Sequence, residues 1–251
     1  MRVLAIVSAM PDEISRVVES LTEVSTQTLG RRQYHAGNFE EIPVIVVFSG
    51  WGKVAAAATA TQLIASYDVT DLVFTGVAGA VQHGLAIGDV VVGTELIQHD
   101  MDASPIFPRY EVPLLGKALL ATDAALRARL RAAGQGFLRE DLAMAVPQGS
   151  RAWFHIESPK VIEGVIASGD QFFDSAEEIS ALRRRLPEVA CVDMEGAAVA
   201  QVCEAYSVPF GIVRTISDVS DENAPHDFPR FSREIAGTYS LGILARFVSM
   251  R

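Results

Sequence analysis

Positive charge is scarce in this chain, and no part of it carries a dense run of Lys or Arg. The 251 residues hold 21 Lys and Arg against 31 Asp and Glu, which gives a formal net charge of -10. Proteins that bind nucleic acid or anionic membrane surfaces do so mainly through basic patches. We therefore expect neither nucleic acid nor a membrane among the partners.

Cysteine is also rare, and long apolar runs are missing. Cys191 and Cys203 lie in apolar contexts without C-x-x-C spacing, so we expect two buried, reduced thiols. No stretch reaches the ~18 apolar residues that a membrane helix needs. Asp12 and Glu13 interrupt the apolar N-terminal run before it is long enough for a signal peptide. These absences predict a cytoplasmic protein.

Several enzyme signatures are absent as well. The sequence contains neither a G-x-S-x-G string nor a P-loop, which removes the commonest hydrolase and kinase hypotheses. His99, Asp100 and Asp102 have side chains that can bind a metal ion, but no further ligand follows at a suitable spacing. We expect no metal ion.

Hydrophobic residues make up 49% of the chain, which is enough for one folded domain over residues 1–251. Short apolar runs rich in β-branched residues recur, and such runs are typical of buried strands. They cover residues 3–7, 44–48, 72–75, 89–92, 161–168, 189–192 and 210–216.

Segments with helical spacing alternate with several of these runs, and a closing helix is predicted over 232–248. A further amphipathic helix is predicted over 119–133. The segments 100–113 and 139–159 mix Pro and aromatic residues without a period, so we interpret both as loops. The alternation of strands and helices predicts an α/β fold with a central sheet.

A glycine-rich string, Gly50-Trp51-Gly52-Lys53-Val54-Ala55, lies between a predicted strand and an Ala-rich helix. The same pattern occurs in dinucleotide-binding folds, where an acidic residue at the end of the next strand binds the ribose. Here Asp68 and Asp71 precede that strand instead. A tight turn that requires glycine is the preferred interpretation, and we expect no cofactor.

Acidic side chains follow three of the predicted strands. Glu13 comes after the first strand, Asp193 and Glu195 flank Met194 after another, and Asp218 ends a third. Ligands in open α/β folds bind beyond the carboxyl ends of strands. Because buried carboxylates are costly unless they are paired or used, their gathering at one edge of the sheet suits acid/base chemistry on a sugar bond.

Each of these positions also has a purely structural interpretation. Glu13 lies where acidic residues stabilise a helix N-terminus. Arg214 and Asp218 can form a structural ion pair. Phe172 and Phe173 follow a fourth strand, and such a pair belongs more often to a core than to a ligand site. The residues alone leave these alternatives open.

Five strings nevertheless occur in the order that is typical of one family. They are Ser49-Gly50-Trp51-Gly52-Lys53-Val54-Ala55, Thr75-Gly76-Val77-Ala78-Gly79, Ser168-Gly169-Asp170-Gln171-Phe172, Asp193-Met194-Glu195-Gly196-Ala197 and Ile216-Ser217-Asp218. Together they resemble the nucleoside phosphorylase superfamily and, within it, the 5′-methylthioadenosine/S-adenosylhomocysteine nucleosidases. The similarity runs nearly from end to end.

The resemblance implies a single α/β domain whose central mixed β-sheet is partly closed as a barrel and is surrounded by helices. It implies hydrolysis of the N-glycosidic bond of 5′-methylthioadenosine, a small-molecule nucleoside, with release of adenine and without a cofactor. S-adenosylhomocysteine is a second candidate substrate. The family also implies a homodimer.

The resemblance further assigns roles to single residues. Glu13 corresponds to the acid that activates the attacking water, and Asp218 to the residue that serves N7 and the 6-amino group of the purine. Glu195 would bind the ribose hydroxyls, Met194 would lie against the ribose, and Phe172 would stack on the adenine. These roles fit the chemistry, because the sugar becomes cationic while the purine leaves as a poor anion.

The same strings place further residues in the substrate pocket, namely Asp193, Arg214, Ser217, Ala78, Gly79 and Trp51. Arg214 would sit behind the ribose-binding acid. In the family the region 100–113 reaches the 5′ pocket of a neighbouring subunit, so Phe107 is a candidate contact there.

Two positions depart from the pattern of many bacterial members. Asp193 stands where they carry Glu, as it does in plant-type enzymes, and Val77 stands where they carry Ser. Both departures concern the breadth of substrates, above all whether S-adenosylhomocysteine is accepted.

Three alternatives remain at this level. A phosphorylase of the same superfamily would place Arg where Phe74 stands, and phosphate without a cationic partner would be poorly held among carboxylates. A futalosine-type nucleoside hydrolase is the second, although Asp218 favours a 6-amino purine over a 6-oxo purine. A non-catalytic nucleoside-binding protein on the same fold is the third.

Overall fold

A computed structural model describes residues 3–250 of the chain. The strands, which join in one 10-stranded mixed sheet, are β1 (Leu4–Ser8), β2 (Thr22–Leu29), β3 (Arg32–Phe39), β4 (Ile42–Phe48), β5 (Asp71–Ala80), β6 (Val90–Gln98), β7 (Leu120–Ala121), β8 (Val161–Ser168), β9 (Val189–Asp193) and β10 (Phe210–Asp218).

The α-helices are α1 (Pro11–Glu19), α2 (Lys53–Ser66), α3 (Ala124–Gly136), α4 (Leu142–Ala145), α5 (Gln148–Trp153), α6 (Ala176–Arg185), α7 (Gly196–Tyr206), α8 (Ala224–Phe231) and α9 (Gly237–Ser249). Two π-helical turns, Phe137–Asp141 and Ser232–Ala236, join α3 to α4 and α8 to α9. None of the helices between residues 3 and 250 is long and apolar enough to cross a membrane.

Strand pairing closes part of the sheet on itself. β5, β10, β6, β8 and β9 form a ring, because β10 pairs with both β5 and β6 while β9 pairs with β8 and returns to β5. β1, β4, β3 and β2 extend from β5 as an open sheet. The expected architecture, a central mixed sheet partly closed as a barrel and surrounded by helices, is confirmed.

Alternate residues of the central strands pack into two different hydrophobic layers. In β1, Leu4 and Ile6 join the layer that contains side chains of α1, α3 and α9. Ala5 and Val7 point the opposite way and join the layer formed with α2 and α7. Because helices cover both faces, β1 is apolar over four consecutive residues, 4–7.

Most of the predicted elements are present. All seven apolar runs overlap strands, and only Val3 and Asp89 at their ends lie outside. The closing helix buries Ile235, Tyr239, Ile243 and Phe247 along one side. Residues 100–113 are irregular, as expected. Cys191 and Cys203 are buried free thiols, as expected.

Two predictions about the middle of the chain need correction. The helix predicted over 119–133 begins only at Ala124, because Leu120–Ala121 pairs with β6 and Asp123 caps the helix by accepting hydrogen bonds from two backbone N–H groups. The segment 139–159 is not a loop, since it contains the end of a π-helical turn, α4 and α5. These short helices are held by tertiary packing, which burial of Phe154 illustrates.

The hairpin of β2 and β3 and the helix α6 were not predicted. β2 is the edge strand of the open sheet, and its side chains are exposed along nearly the whole strand. An exposed edge strand has no apolar alternation by which a sequence could reveal it.

Candidate active site

One pocket of about 570 Å³, including the part that is open to solvent, lies where β5, β9 and β10 meet the first turns of α1 and α7. It is lined by ten of the residues that the sequence placed in the site: Glu13, Trp51, Ala78, Gly79, Phe172, Asp193, Met194, Glu195, Ser217 and Asp218. The strand ends therefore bring the three predicted acidic segments together.

Glu13 is buried at the start of α1, and its two oxygens differ in their partners. Oε2 accepts hydrogen bonds from the hydroxyl of Ser8 and from the backbone N–H groups of Ala9 (3.1 Å) and Met10 (2.9 Å). Within residues 3–250, Oε1 accepts one hydrogen bond, from the N–H of Val77 (2.9 Å). Burial raises the pKa of Glu13, while Arg214 and these hydrogen bonds oppose the rise. Oε1 thus keeps a lone pair for a ligand.

Two glycines of β5 leave the space that the acids occupy. A Cβ atom on Gly76 would lie 2.7 Å from Oε1 of Glu13 and 3.0 Å from Nη1 of Arg214. A Cβ atom on Gly79 would lie 2.2 Å from Oγ of Ser220 and 3.0 Å from Oδ1 of Asp218. Side chains at either position would displace the carboxylates.

Asp193 and Arg214 form a buried ion pair. Oδ2 of Asp193 lies 2.9 Å from Nε and 2.8 Å from Nη2 of Arg214. The guanidinium also stacks on Phe74, with its central carbon 4.1 Å from the ring centre. Arg214 lies behind the pocket wall and is not among the residues that line the pocket.

Glu195 is the N-cap residue immediately before α7, and only 6% of its surface is exposed. Its Oε1 accepts a hydrogen bond of 2.8 Å from the backbone N–H of Gly52. Burial raises the pKa of Glu195 to about 8, and the neighbouring charge of Asp193 contributes to the rise. Burial and the charge of Asp193 thus both favour the protonated form of this carboxyl.

Asp218 follows an irregularity in the strand. The register of β10 against β5 shifts between Ile216 and Asp218, so that Asp218 pairs with Gly79. Its Oδ2 accepts from the hydroxyl of Ser217 (2.8 Å) and its Oδ1 from the N–H of Ser220 (2.9 Å). Burial raises the pKa of Asp218 to about 6, which suits a group that gives up a proton near neutral pH.

Aromatic rings form another wall of the pocket. Phe172 is 39% exposed and lies edge-to-face against Phe228, with ring centres 5.5 Å apart. Phe228 makes a similar contact with Trp51 at 6.0 Å. Phe228 was not predicted, because α8 carries no motif that indicates a site. Ala9 and Met10, which lie between β1 and α1, also line the pocket and were not predicted as site residues.

The glycine-rich turn before α2 contributes Trp51 to the pocket. Gly50 and Gly52 have positive φ angles of 81° and 89°, which other residues rarely adopt. The N–H of Lys53 at the start of α2 already donates to Oδ1 of Asp170 (2.8 Å). The preferred interpretation of this string, a tight turn that requires glycine, is supported.

The suspected metal ligands have other partners. Asp100 binds Nζ of Lys53 (2.6 Å) and the N–H of Asp170 (3.1 Å), and His99 packs edge-to-face on Phe173. Asp102 accepts from the N–H of Ser104. Within the described residues no group of three or more His, Cys, Asp or Glu could hold a metal ion.

Phe107 lies apart from this pocket. Its side chain is 38% exposed, and it does not line the pocket of its own chain. A contact with substrate would require a second copy of the chain, so its role stays a prediction.

The arrangement can perform acid/base chemistry on a neutral ligand. Three buried carboxyl groups with different partners face one cavity, and a flat aromatic wall accompanies them. None of the described residues that line the pocket is Lys or Arg. A bound anion such as phosphate would find no cation to contact there.

Comparisons with known proteins agree with this geometry. A model of the phosphorylase superfamily matches residues 3–249. The 5′-methylthioadenosine/S-adenosylhomocysteine nucleosidase of Shewanella loihica is 33% identical over 230 residues, which cover 91% of each chain. That of Bacillus pumilus is 30% identical and covers 98% of this chain and 97% of its own.

Solved structures give the same result. The nucleosidase of Neisseria meningitidis in complex with methylthio-immucillin-A superposes with a TM-score of 0.86 at 31% identity over 100% of both chains. The futalosine hydrolase of Helicobacter pylori superposes with a TM-score of 0.83 at 32% identity and covers 100% of this chain and 98% of its own. The chain thus belongs to the phosphorylase superfamily and, within it, to the family of the 5′-methylthioadenosine/S-adenosylhomocysteine nucleosidases.

Proposed function

We propose that this protein hydrolyses the N-glycosidic bond of 5′-methylthioadenosine, with release of adenine and the 5-thio-ribose. The observation that carries the proposal is the set of three buried carboxyl groups, Glu13, Glu195 and Asp218, which line one pocket in three different environments. The named relatives act as 5′-methylthioadenosine/S-adenosylhomocysteine nucleosidases, which supports the same reaction. S-adenosylhomocysteine is the second candidate substrate.

The leaving purine needs a proton donor, and the attacking water needs a proton acceptor. Asp218, whose pKa burial raises to about 6, is suited to protonate N7 of the purine as the bond breaks. Glu13 has a free lone pair on Oε1 and is suited to accept a proton from the attacking water. Glu195 has one protein hydrogen bond to Oε1 among the described residues, which leaves Oε2 for the ribose hydroxyls.

Two features favour water over phosphate as the nucleophile. The charge of Arg214 acts on Glu13 and Glu195, but this guanidinium is already paired with Asp193 behind the pocket wall. Phe74, where a phosphorylase of this superfamily would place an Arg, stacks beneath that guanidinium. A phosphate dianion would therefore enter a pocket of carboxylates without a charge partner.

Futalosine-type nucleosides are the second candidate class, because a futalosine hydrolase superposes on nearly the whole chain. Asp218 argues against them as the main substrate. A carboxylate on the purine edge accepts a hydrogen bond from a 6-amino group and repels a 6-oxo group.

Release of the free base from a panel of nucleosides tests the function. We expect release of adenine from 5′-methylthioadenosine at the same rate with and without phosphate. A strict requirement for phosphate would identify a phosphorylase instead. Faster release from a 6-oxo nucleoside would overturn the adenine specificity, and tight binding without turnover would indicate a binding protein.

The assembly and location follow as further proposals. Ile106 and Leu114, which lie near Phe107 in the sequence, are almost fully exposed. Such exposure of apolar side chains suits an interface with a second copy of the chain. We propose a homodimer in which Phe107 approaches the pocket of the neighbouring subunit. We also propose a cytoplasmic location, which suits two buried free thiols.

A further inference from the structure

Asp193 lines the pocket, yet the protein itself occupies both of its carboxylate oxygens. Oδ1 accepts from the hydroxyl of Ser168 and from the N–H groups of Gly196 (3.1 Å) and Glu195 (3.3 Å). Oδ2 accepts from Nε and Nη2 of Arg214. The side chain of Asp193 is 2% exposed. A substrate hydroxyl would have to displace one of these donors in order to reach it.

The contacts of Asp193 fix the segment that carries Glu195. The N–H groups of Glu195 and Gly196 are held by Oδ1, and the next N–H, that of Ala197, donates to Oγ of Ser168 (2.8 Å). A Cβ atom on Gly196 would lie 2.7 Å from Oδ2 of Asp193, so the short side chain and the glycine fit together. The start of α7 is thereby attached to the ends of β8 and β9.

The charge of Asp193 acts on Arg214. Nη1 of Arg214 is buried and has no hydrogen-bond partner within residues 3–250. It lies 3.0 Å from the point where a Gly76 Cβ would be, and Oε1 of Glu13 lies 2.7 Å from the same point. The guanidinium therefore stands between Asp193, which neutralises it, and Glu13, to which it is not bonded.

We propose that Asp193 is a positioning residue that does not touch the substrate: its carboxylate holds the start of α7 and cancels the charge of Arg214, so that Glu13 and Glu195 work beside a neutral pair. The inference rests on the proposed nucleosidase function. The charged and titratable groups that face this pair are Glu13 from α1, Glu195 from the start of α7, His99 after β6 and Cys191 from β9.

The ionisation of the neighbours is consistent with this role. After burial, the charge of Asp193 is the next cause that raises the pKa of Glu195, whereas Arg214 lowers it. Arg214 also lowers the pKa of Glu13. Removal of the negative charge at position 193 would leave Arg214 unbalanced, and both glutamates would then lose their protons at lower pH.

The test compares pH profiles of kcat/KM for adenine release from 5′-methylthioadenosine by the wild type and Asp193→Asn. The rising limb of this profile reports the loss of protons from Glu13 and Glu195 in the free enzyme. We expect the limb to move to lower pH by about one unit in Asp193→Asn, the size of effect that a neighbouring charge typically has. The variant should fold, because Glu13 and Glu195 lie near Arg214 and can balance its charge.

A second variant, Arg214→Gln, should shift the rising limb in the opposite direction. In Arg214→Gln the carboxylate of Asp193 keeps Ser168 and two N–H donors, and the two glutamates lose a nearby positive charge. We expect the limb to move to higher pH. Opposite shifts from the two partners of one ion pair are not produced by a structural defect, which lowers activity at every pH alike.

Asp123→Asn is the matched control, since Asp123 also accepts two backbone N–H groups at the start of a helix, α3, but lies outside the pocket. Its profile should coincide with that of the wild type. If Asp193→Asn and Arg214→Gln lose activity with unmoved limbs, Asp193 is only structural and the inference is wrong. If the wild type releases no adenine from any nucleoside, the proposed function is wrong instead.

Discussion

The backbone N–H of Gly52 donates a hydrogen bond of 2.8 Å to Oε1 of Glu195, across 143 positions of sequence. The donor lies in the turn before α2 and the acceptor in the turn before α7, and these two helices pack against each other. A backbone donor holds one oxygen of Glu195 in a fixed direction whatever the state of the pocket. The other oxygen is left to bind a ligand.

Glu195→Gln should therefore damage ribose recognition more than purine recognition. The amide oxygen can still accept from Gly52, but a neutral amide holds the ribose hydroxyls less well and gives less support to a cationic sugar. We expect the affinity for a nucleoside analogue to fall and the affinity for free adenine to change little. Calorimetry with both ligands checks this, and equal losses for the two would exclude the ribose assignment.

The same substitution should change how stability depends on pH. In the folded protein the pKa of Glu195 is raised to about 8 from a reference value of 4.5, so the unfolded chain loses this proton first as the pH rises. The stability that this group contributes is complete below pH 4.5 and is lost as the pH rises through 8.

Thermal unfolding measures this effect. The Tm of the wild type should fall more steeply between pH 5 and 8 than the Tm of Glu195→Gln, because the amide carries no proton to lose. Asp218, whose pKa is raised to about 6, acts in the same direction in both proteins and so cancels from the comparison. Parallel Tm curves would show that Glu195 is already ionised in the folded protein at pH 5.

A site residue could be predicted only where the sequence around it forms a recognisable pattern. Glu13, Glu195 and Asp218 were found because each follows an apolar strand and belongs to a string typical of the family. Phe228 was missed because it lies on α8, whose eight residues contain two prolines and no recognisable motif. Its place in the pocket arises only from packing against Trp51 and Phe172.

Asp193 illustrates a second limit of prediction from the sequence. The sequence placed this residue in the substrate pocket, and the pocket does include it. Its partners, however, come from β8, α7 and β10, and no local pattern reports that all of them converge on one carboxylate. The same holds for Leu120–Ala121, where pairing with β6 overrides an apparent helical period.

Gly79→Ala tests whether the close approach of β5 to the acids matters for activity. The new Cβ atom would lie 2.2 Å from Oγ of Ser220 and 3.0 Å from Oδ1 of Asp218, so both side chains must move. Misplacement of a catalytic group by about 1 Å can cost ~10²-fold in rate. We expect a loss of kcat of this order. Gly149 lies in α5, and a Cβ atom added there would meet no atom within 4 Å. Gly149→Ala should therefore keep the wild-type rate.

Glu13→Gln removes the proposed base but also disturbs its surroundings. Both oxygens of Glu13 accept from hydrogen-bond donors, so an amide NH₂ would face either Val77 or the donors at Ser8, Ala9 and Met10. This mismatch costs about 1–3 kcal/mol of stability. We expect turnover to fall ~10²–10⁴-fold with substrate binding largely retained. Single-turnover rates and equilibrium binding separate the two effects, and unchanged hydrolysis would place the base elsewhere.

Asp218→Asn is the sharpest test of leaving-group chemistry. The structure can accommodate this substitution. The hydroxyl of Ser217 and the backbone N–H of Ser220 can hydrogen-bond an amide as well as a carboxylate. An amide can still contact the purine edge but cannot deliver a proton to N7. We therefore expect adenosine-type substrates to lose rate by ~10²-fold or more.

A substrate with an activated leaving group isolates this step. In a p-nitrophenyl riboside with a 5′-methylthio group, the p-nitrophenolate leaves without protonation. Asp218→Asn should therefore impair hydrolysis of this substrate much less than hydrolysis of 5′-methylthioadenosine. Glu13→Gln should slow both substrates, because each still needs an activated water. Equal losses on the two substrates in Asp218→Asn would leave Asp218 with a positioning role alone, since a general acid must matter most where the leaving group is poorest.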